Sequence, residues 1–290
     1  MADITVIILT KDEEINIEKC IRSVRQIAKR IVVMDSYSTD QTAIIAKSLG
    51  ADVYQHPFKH YGAQFQYALD TANINTKWVF RLDADEEVSE ESRIEIEKLC
   101  LINSETDING FVFRLRNEFM GKELKHGFIN ILEKLCIFKY GKAYMEDRYW
   151  GEQLILTEGR SISMKSLSIH HSVKNMDFFI NKFIWYSSRE VKDYFEQKCL
   201  EQPIRELDRP TRIRRFVKYN LYYKLSPRIR SGALFFYYYW LKLGFLDGRE
   251  GYYWNFFQTY FYRLLIDAKI DEVKLTGKKI GETGSLDHTV

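Results

Sequence analysis

Residues 4–9 form an apolar run, the pattern of a parallel strand covered on both faces. Residues 14–28 then set Ile17, Ile21, Val24 and Ala28 at three- and four-residue steps, which predicts an amphipathic helix. Residues 31–34 read as a second buried strand ending at Asp35. Residues 40–49 read as a helix capped by Ser38, Thr39 or Asp40 and stopped at Gly50. A short strand at 52–54, a helix at 63–72 and a strand at 78–82 follow, the last running straight into Asp83-Ala84-Asp85-Glu86-Glu87. Ser89 caps one more helix, through Leu101. Four strand–helix alternations in about a hundred residues predict a doubly wound α/β sheet with helices on both faces.

The pattern changes near residue 106. Segments 110–115 (GFVFRL) and 134–138 (KLCIF) read as strands around a Gly- and Lys-bearing loop, NEFMGKELKHG. From Met176 the chain reads as helical and aromatic, with FFYYYW and GYYWNFF between 233 and 262, and 279–290 as a polar tail. These shifts divide the chain into 1–105, 106–175 and 176–290.

A chain of 290 residues with 46% hydrophobic content can bury a substantial core. Its net charge of +3 does not mark it as a polyanion binder overall. Locally, nine Lys/Arg face two acids, Glu206 and Asp208, between 205 and 230. Basic charge beside aromatics suits phosphates, of lipids or of nucleic acid. The cysteines (Cys20, Cys100, Cys136, Cys199) are scattered without a CxxC pair, which points to a reducing compartment and away from structural zinc. The start, MADITVIILTKDEE, lacks the basic and apolar regions of a signal peptide. The longest spanning candidate, 231–241, is cut off by Arg230 and Lys242, well short of the ~20 apolar residues a span needs. The expected location is cytoplasmic, with membrane contact made from the surface.

Candidate chemistry gathers where strands end in acids, at Asp35 and at Asp83/Asp85. Parallel strands present those ends on one rim, where α/β sheets bind ligands. Asp-x-Asp at a strand end sets two carboxylates on one side, about 6–7 Å apart. That pair suits a hard divalent cation, Mn²⁺ or Mg²⁺, with phosphate oxygens as further ligands. The plainer reading is a polar loop start and a helix cap. The chain has neither a G-x-G-x-x-G after its first strand nor a Walker lysine loop, which removes the usual dinucleotide fingerprint and leaves ATP hydrolysis without support.

The segments ILTKDEEINIEKCIRSV (8–24), VVMDSYSTDQT (32–42) and FRLDADE (80–86) together resemble the family 2 glycosyltransferases with the GT-A fold. NEFMGKELKHG, KLCIFKYGKA and FLDGREG are similar to a subgroup that builds lipopolysaccharide core and other bacterial surface glycans. The resemblance implies a GT-A-like mixed sheet whose 1–105 half binds the nucleotide-sugar. Residues 106–175 would bind acceptor and catalyse, and 176–290 would form a helical extension. It also implies inverting transfer from a nucleotide-sugar, by preference UDP-hexose, to a saccharide or lipid-linked saccharide.

Carried over residue by residue, it assigns Thr10, Asp12, Glu14 and Asp35 to the nucleoside, Asp83 to ribose or metal, and Asp85 to metal. His170 and His171 are implied to complete the metal or diphosphate site, and Lys125 and His126 to contact acceptor or phosphate. Each also reads as an ordinary polar loop residue. The general base falls on Glu152, in WGEQL, with Glu146 and Asp147 in reserve. Lipid-linked acceptors favour an interfacial reading of 209–262 over stacking on nucleic acid, which is not expected as a partner. A core stripe of Leu234, Tyr238, Leu241 and Phe245 is the competing reading. The rival functions are a sugar-nucleotide nucleotidyltransferase, whose Gly-rich loop is missing from 10–16, and a non-catalytic member of an envelope-glycan assembly.

Overall fold

The computed structural model describes residues 2–146, 153–171, 173–196, 216–217, 220 and 222–277. Strand β1 (Ile4–Thr10) is buried along its whole length. Its two-residue alternation sends Ile4, Val6 and Ile8 to one face and Ile7 and Leu9 to the other. The first face carries α1 (Ile17–Val24), with Ile17, Cys20, Ile21 and Val24 inward, and Ala46 of α2 (Thr42–Ser48). The other carries α3 (Tyr61–Thr71) through Phe65, Ala68 and Leu69. Helix α4 (Glu90–Ile102), capped by Ser89, returns to the first face through Ile96 and Cys100. Burial from both sides is why β1 shows no polar alternation, and each such side chain contributes roughly 1.5–3 kcal/mol.

Among the described residues the main sheet has ten strands. Strands β2 (Arg30–Asp35), β3 (Asp52–Gln55) and β4 (Trp78–Asp83) join β1 in parallel, in the order β3-β2-β1-β4. Beyond β4 lie β8 (Ile131–Lys139), antiparallel, and then the long β6 (Ile108–Phe119). Strand β12 (Ser168–His171) runs parallel to β6, and β5 (Glu86–Glu87) closes the order antiparallel to β12. Two short strands, β7 (Lys122–Glu123) and β11 (Arg160–Ser163), also pair with β6, and β9 (Ala143–Met145) and β10 (Leu154–Leu156) form a separate pair. This is the mixed α/β sheet of the expected class.

Of the boundaries that differ from the sequence reading, two bear on the site. Helix α1 begins at Ile17 because Glu13–Asn16 close a turn, with Asn16 N donating to Glu13 O at 2.9 Å. Strand β6 continues to Phe119 and folds back through β7, so half of the expected loop is a hairpin. Its buried positions, Phe113, Leu115 and Phe119, keep period two across the polar Asn117.

The helical extension packs on that strand. Phe119 and Leu124 share a core with Phe179, Phe183 and Val191 of α5 (Met176–Glu196) and with Trp254, Tyr262, Ile266 and Ile270. The last four come from a continuous helical run: α7 (Gly248–Asn255), a π-helical turn and α8 (Tyr262–Thr276). Helix α6 (Pro227–Phe236) is held to α8 by the buried Arg230–Asp267 pair, and Glu190 of α5 accepts from Tyr262 Oη (2.8 Å) and Arg263 Nη1 (2.9 Å). Each buried charge is thus paired and hydrogen-bonded. The stripe of the competing core reading is split: Leu234 and Tyr238 are half-buried, whereas Leu241 is 62% exposed and Phe245 37%.

Candidate active site

In the sheet, Thr10 at the end of β1 stands beside Asp35 of β2, and Leu9 beside Asp83 of β4. A cavity of about 580 Å³ opens past these ends. Thr10, Lys11, Glu13, Asp83 and Asp85 line one side; α5 covers the other with Phe178, Lys182, Trp185 and Tyr186.

Asp85 meets His170 there. Its Oδ2 lies 3.3 Å from His170 Nε2, while His170 Nδ1 lies 2.7 Å from Asn117 Oδ1. Asn117 Nδ2 donates to the Ile129 carbonyl at 2.5 Å, which fixes the amide so that its oxygen faces the imidazole. His170 therefore carries a proton on Nδ1. Its Nε2 and the facing carboxylate then need a proton or a metal cation between them. Burial pushes the Asp85 carboxyl up, but His170, then Lys182 and Lys134, hold it well below the usual carboxylate range. His171, the next residue along β12, points to the other face and meets Glu87 Oε2 (3.0 Å) and Glu118 Oε1 (3.4 Å). Among the described residues, no group of three or more His, Cys, Asp or Glu side chains converges as a metal cage.

Asp83 is held differently. Lys134 Nζ lies 2.7 Å from its Oδ2 and 2.5 Å from Oε1 of Glu86, and Glu86 Oε2 accepts from Asp83 N at 3.1 Å. Burial raises the Asp83 carboxyl, yet Lys134 and Arg81 outweigh it and bring it down to about 2. Glu86, 1% exposed, goes the other way: burial is the largest influence, Lys134 opposes it, and Asp83 adds to the rise. Lys134 and Glu86 were missed as site residues, although both lie in segments that carry the resemblance.

The other acids of the first two strand ends fasten loops. Asp35 is fully buried, accepting from Ser38 N and Oγ and from Gln55 Nε2. Asp12 Oδ1 accepts from Thr39 N (2.6 Å), and Glu14 Oε2 from Gln41 N (3.1 Å), tying the loop after β1 to the loop after β2. These three do not line the cavity, whereas Thr10, whose buried hydroxyl has no hydrogen-bond partner among the described residues, does. Glu13, also on the wall, has its carboxyl raised by burial and by Asp85, although Lys174 sits 2.8 Å away.

Lys125 and His126 lie in a loop bound to Asp247. Both backbone amides donate to Asp247 Oδ2 (2.9 and 2.8 Å), and His126 Nδ1 is 3.1 Å from Oδ1. Phe128 N donates to Asn255 Oδ1, and Trp254 Nε1 to Phe128 O. Gly127, at φ +80°, leaves room for Asn255, whose amide would sit 2.5 Å from an added Cβ. So NEFMGKELKHG and FLDGREG are two sides of one contact, which sets Phe128 and Ile129 in the cavity wall. Glu152 and Asp147 lie outside the described residues. Glu146 is fully buried, its Oε2 accepting from Gln153 N at 3.1 Å.

The profile described as "Glycosyl transferase family 2" matches residues 5–146, which contain β1 to β4 and Asp83-Ala84-Asp85. An uncharacterized glycosyltransferase of Rickettsia typhi is 29% identical over 207 residues, 68% of this chain and 70% of that one. The lipopolysaccharide core biosynthesis glycosyltransferase LpsC of Rhizobium meliloti is 33% identical over 103 residues, 34% of this chain and 37% of its own. Glucosyl-3-phosphoglycerate synthase of Mycobacterium tuberculosis, solved with Mn²⁺, UDP and glucosyl-3-phosphoglycerate, superposes with a TM-score of 0.32 at 22% identity, over 41% of this chain and 45% of that one. The matched profile spans the strand ends that build the cavity, so residues 5–146 are similar to the catalytic domain of the family 2 glycosyltransferases.

Proposed function

We propose that the protein is an inverting transferase that moves a hexose from a UDP-linked donor to a lipid-linked or growing surface glycan. The observation that carries this is the cavity past β1 and β4, with Asp85 and His170 on one wall and aromatic rings on the other. Asp85 and His170 fit a divalent cation, Mn²⁺ or Mg²⁺, because a carboxylate oxygen and an imidazole nitrogen face each other there. Such a cation would supply Lewis-acid stabilisation of the diphosphate. Asp83, neutralised by Lys134, is better suited to accept from a ribose hydroxyl. Thr10 offers its hydroxyl to the nucleoside, while Asp12, Glu14 and Asp35 shape the loops around it. His171, Lys125 and His126 support the walls.

On the acceptor side, Phe178, Trp185 and Tyr186 present ring faces to a saccharide. Glu152 is assigned the general base that takes the acceptor proton. Exposed rings of the helical extension, Phe236 and Trp240 among them, suit a lipid surface on the cytoplasmic face of a membrane. Among the described residues no helix is long and apolar enough to cross one.

The test is thermal stability with a panel of nucleoside diphosphates, with and without Mn²⁺. UDP with Mn²⁺ should raise Tm most, since a ligand at 100 times its Kd stabilises by about 2.7 kcal/mol. Chelator should remove most of the shift. Equal shifts with every diphosphate, or none, would refute the donor assignment.

A further inference from the structure

We propose that Lys182 of α5 binds the diphosphate of the donor and stabilises the charge left on it when the sugar departs. The inference rests on the nucleotide-sugar reading above and adds a binding group that comes from the helical extension.

Among the described residues three Lys or Arg side chains line the cavity, Lys11, Arg81 and Lys182. Lys11 Nζ donates to Tyr37 O at 2.5 Å and lies 3.6 Å from Asp12, and Arg81 lies 3.6 Å from Asp83. Among the described residues Lys182 has no hydrogen bond and no ion pair. Its ammonium sits 5.8 Å from the Phe178 ring centre and 5.6 Å from that of Tyr186. Those residues are four before and four after it, so the three share one helix face. The rings order the long side chain and hold its charge in the cavity. An ammonium half-buried among rings, near enough to Asp85 to feel its charge but with no carboxylate at ion-pair distance among the described residues, favours an anion that enters with the ligand.

The facing wall says which anion. Asp85 and His170 stand at the strand ends where α/β sheets bind phosphates, and the same cavity joins them to Lys182. On that wall the lysines near Asp83 and Glu13, Lys134 and Lys174, are already paired with them, so positive charge to meet a diphosphate comes from the opposite side. In the transfer, the acceptor oxygen bonds to the anomeric carbon and the bond from that carbon to the β-phosphate oxygen breaks. The electron pair stays on the diphosphate, and the acceptor proton passes to the general base. Lys182 donates to the oxygen that gains this charge, an interaction stronger in the transition state than before it.

The experiment measures UDP affinity by isothermal titration and uridine affinity by NMR titration, at fixed Mn²⁺, for the intact chain, Lys182→Met and Lys182→Arg. Lys182→Met should weaken UDP about tenfold or more and leave uridine unchanged. It should also lower kcat without raising the acceptor KM, and Lys182→Arg should restore most of both. Unchanged UDP affinity in Lys182→Met overturns the proposal, including the case where only the acceptor KM rises, which would move Lys182 to the acceptor side. Parallel loss of uridine and UDP binding overturns it too, as a general disturbance of the site. If the intact chain binds no UDP, the nucleotide-sugar reading itself fails.

Discussion

Asn117 gives His170 a single tautomer: the amide donates to the Ile129 carbonyl and accepts from His170 Nδ1 at 2.7 Å, leaving Nε2 to face Asp85. Partners of this kind orient a ligand ring, and their loss costs about 10–100-fold in metal affinity or activity. Asn117→Leu should therefore weaken Mn²⁺ binding and transfer by such a factor while the fold persists. A Mn²⁺ titration followed by paramagnetic relaxation measures the first. Unaltered Mn²⁺ affinity in that variant would remove His170 from the cation site.

Lys134 joins two carboxylates that behave in opposite ways. Asp83 is depressed from 3.8 to about 2, so its contribution to stability is complete above 3.8 and lost as pH falls toward 2. Glu86 is raised above 4.5, so its charge costs stability at neutral pH and is relieved once it protonates. Lys134→Met strands both charges and should cost about 3 kcal/mol or more at pH 7 in urea unfolding. Adding Glu86→Gln should recover part of that loss at pH 7 and little below pH 4.5. An equal recovery at both pH values would show that Glu86 is not the buried charge at fault.

Glu152→Gln keeps the size of the side chain and removes the base. Loss of a positioned general base typically lowers rate by about 10²–10⁴-fold. The expected outcome is a fall of that order in kcat with UDP affinity intact. If Glu146→Gln gives the larger fall instead, the base lies four residues before Trp150, although Glu146 is buried and accepts from Gln153 N.

The first hundred residues were legible because β1 and β4 are apolar on both faces and the helices between them keep their apolar stripes. Asp85 was legible for the same reason, lying just past a strand end. Asp35 was legible in position and not in use: sequence shows an acid at a strand end, but not that Ser38 and Gln55 bind it. His126 was read as a ligand contact because its partner, Asp247, lies 121 residues away. Lys182 was hidden more completely. Its chemistry depends on where α5 lands, and α5 lands where Phe119 and Phe179 meet.

The exposed rings of the extension support a last prediction. Phe236 is 55% exposed, Trp240 51% and Leu246 55%, close in sequence to Lys242 and to Arg249. Large exposed apolar patches beside basic residues mark docking surfaces, and for a lipid-linked acceptor the fitting partner is an anionic membrane face. Trp240→Ser together with Leu241→Ser should reduce co-sedimentation with vesicles of mixed anionic and zwitterionic lipid by about tenfold, since each ring or branched chain inserted contributes roughly 1.5–3 kcal/mol when fully buried. Salt should weaken the remaining binding by screening the basic residues. Transfer to a water-soluble acceptor should be unchanged, because neither residue lines the cavity. If sedimentation is unaffected and the two substitutions instead dissolve a concentration-dependent dimer, the patch is a contact between two copies of the chain.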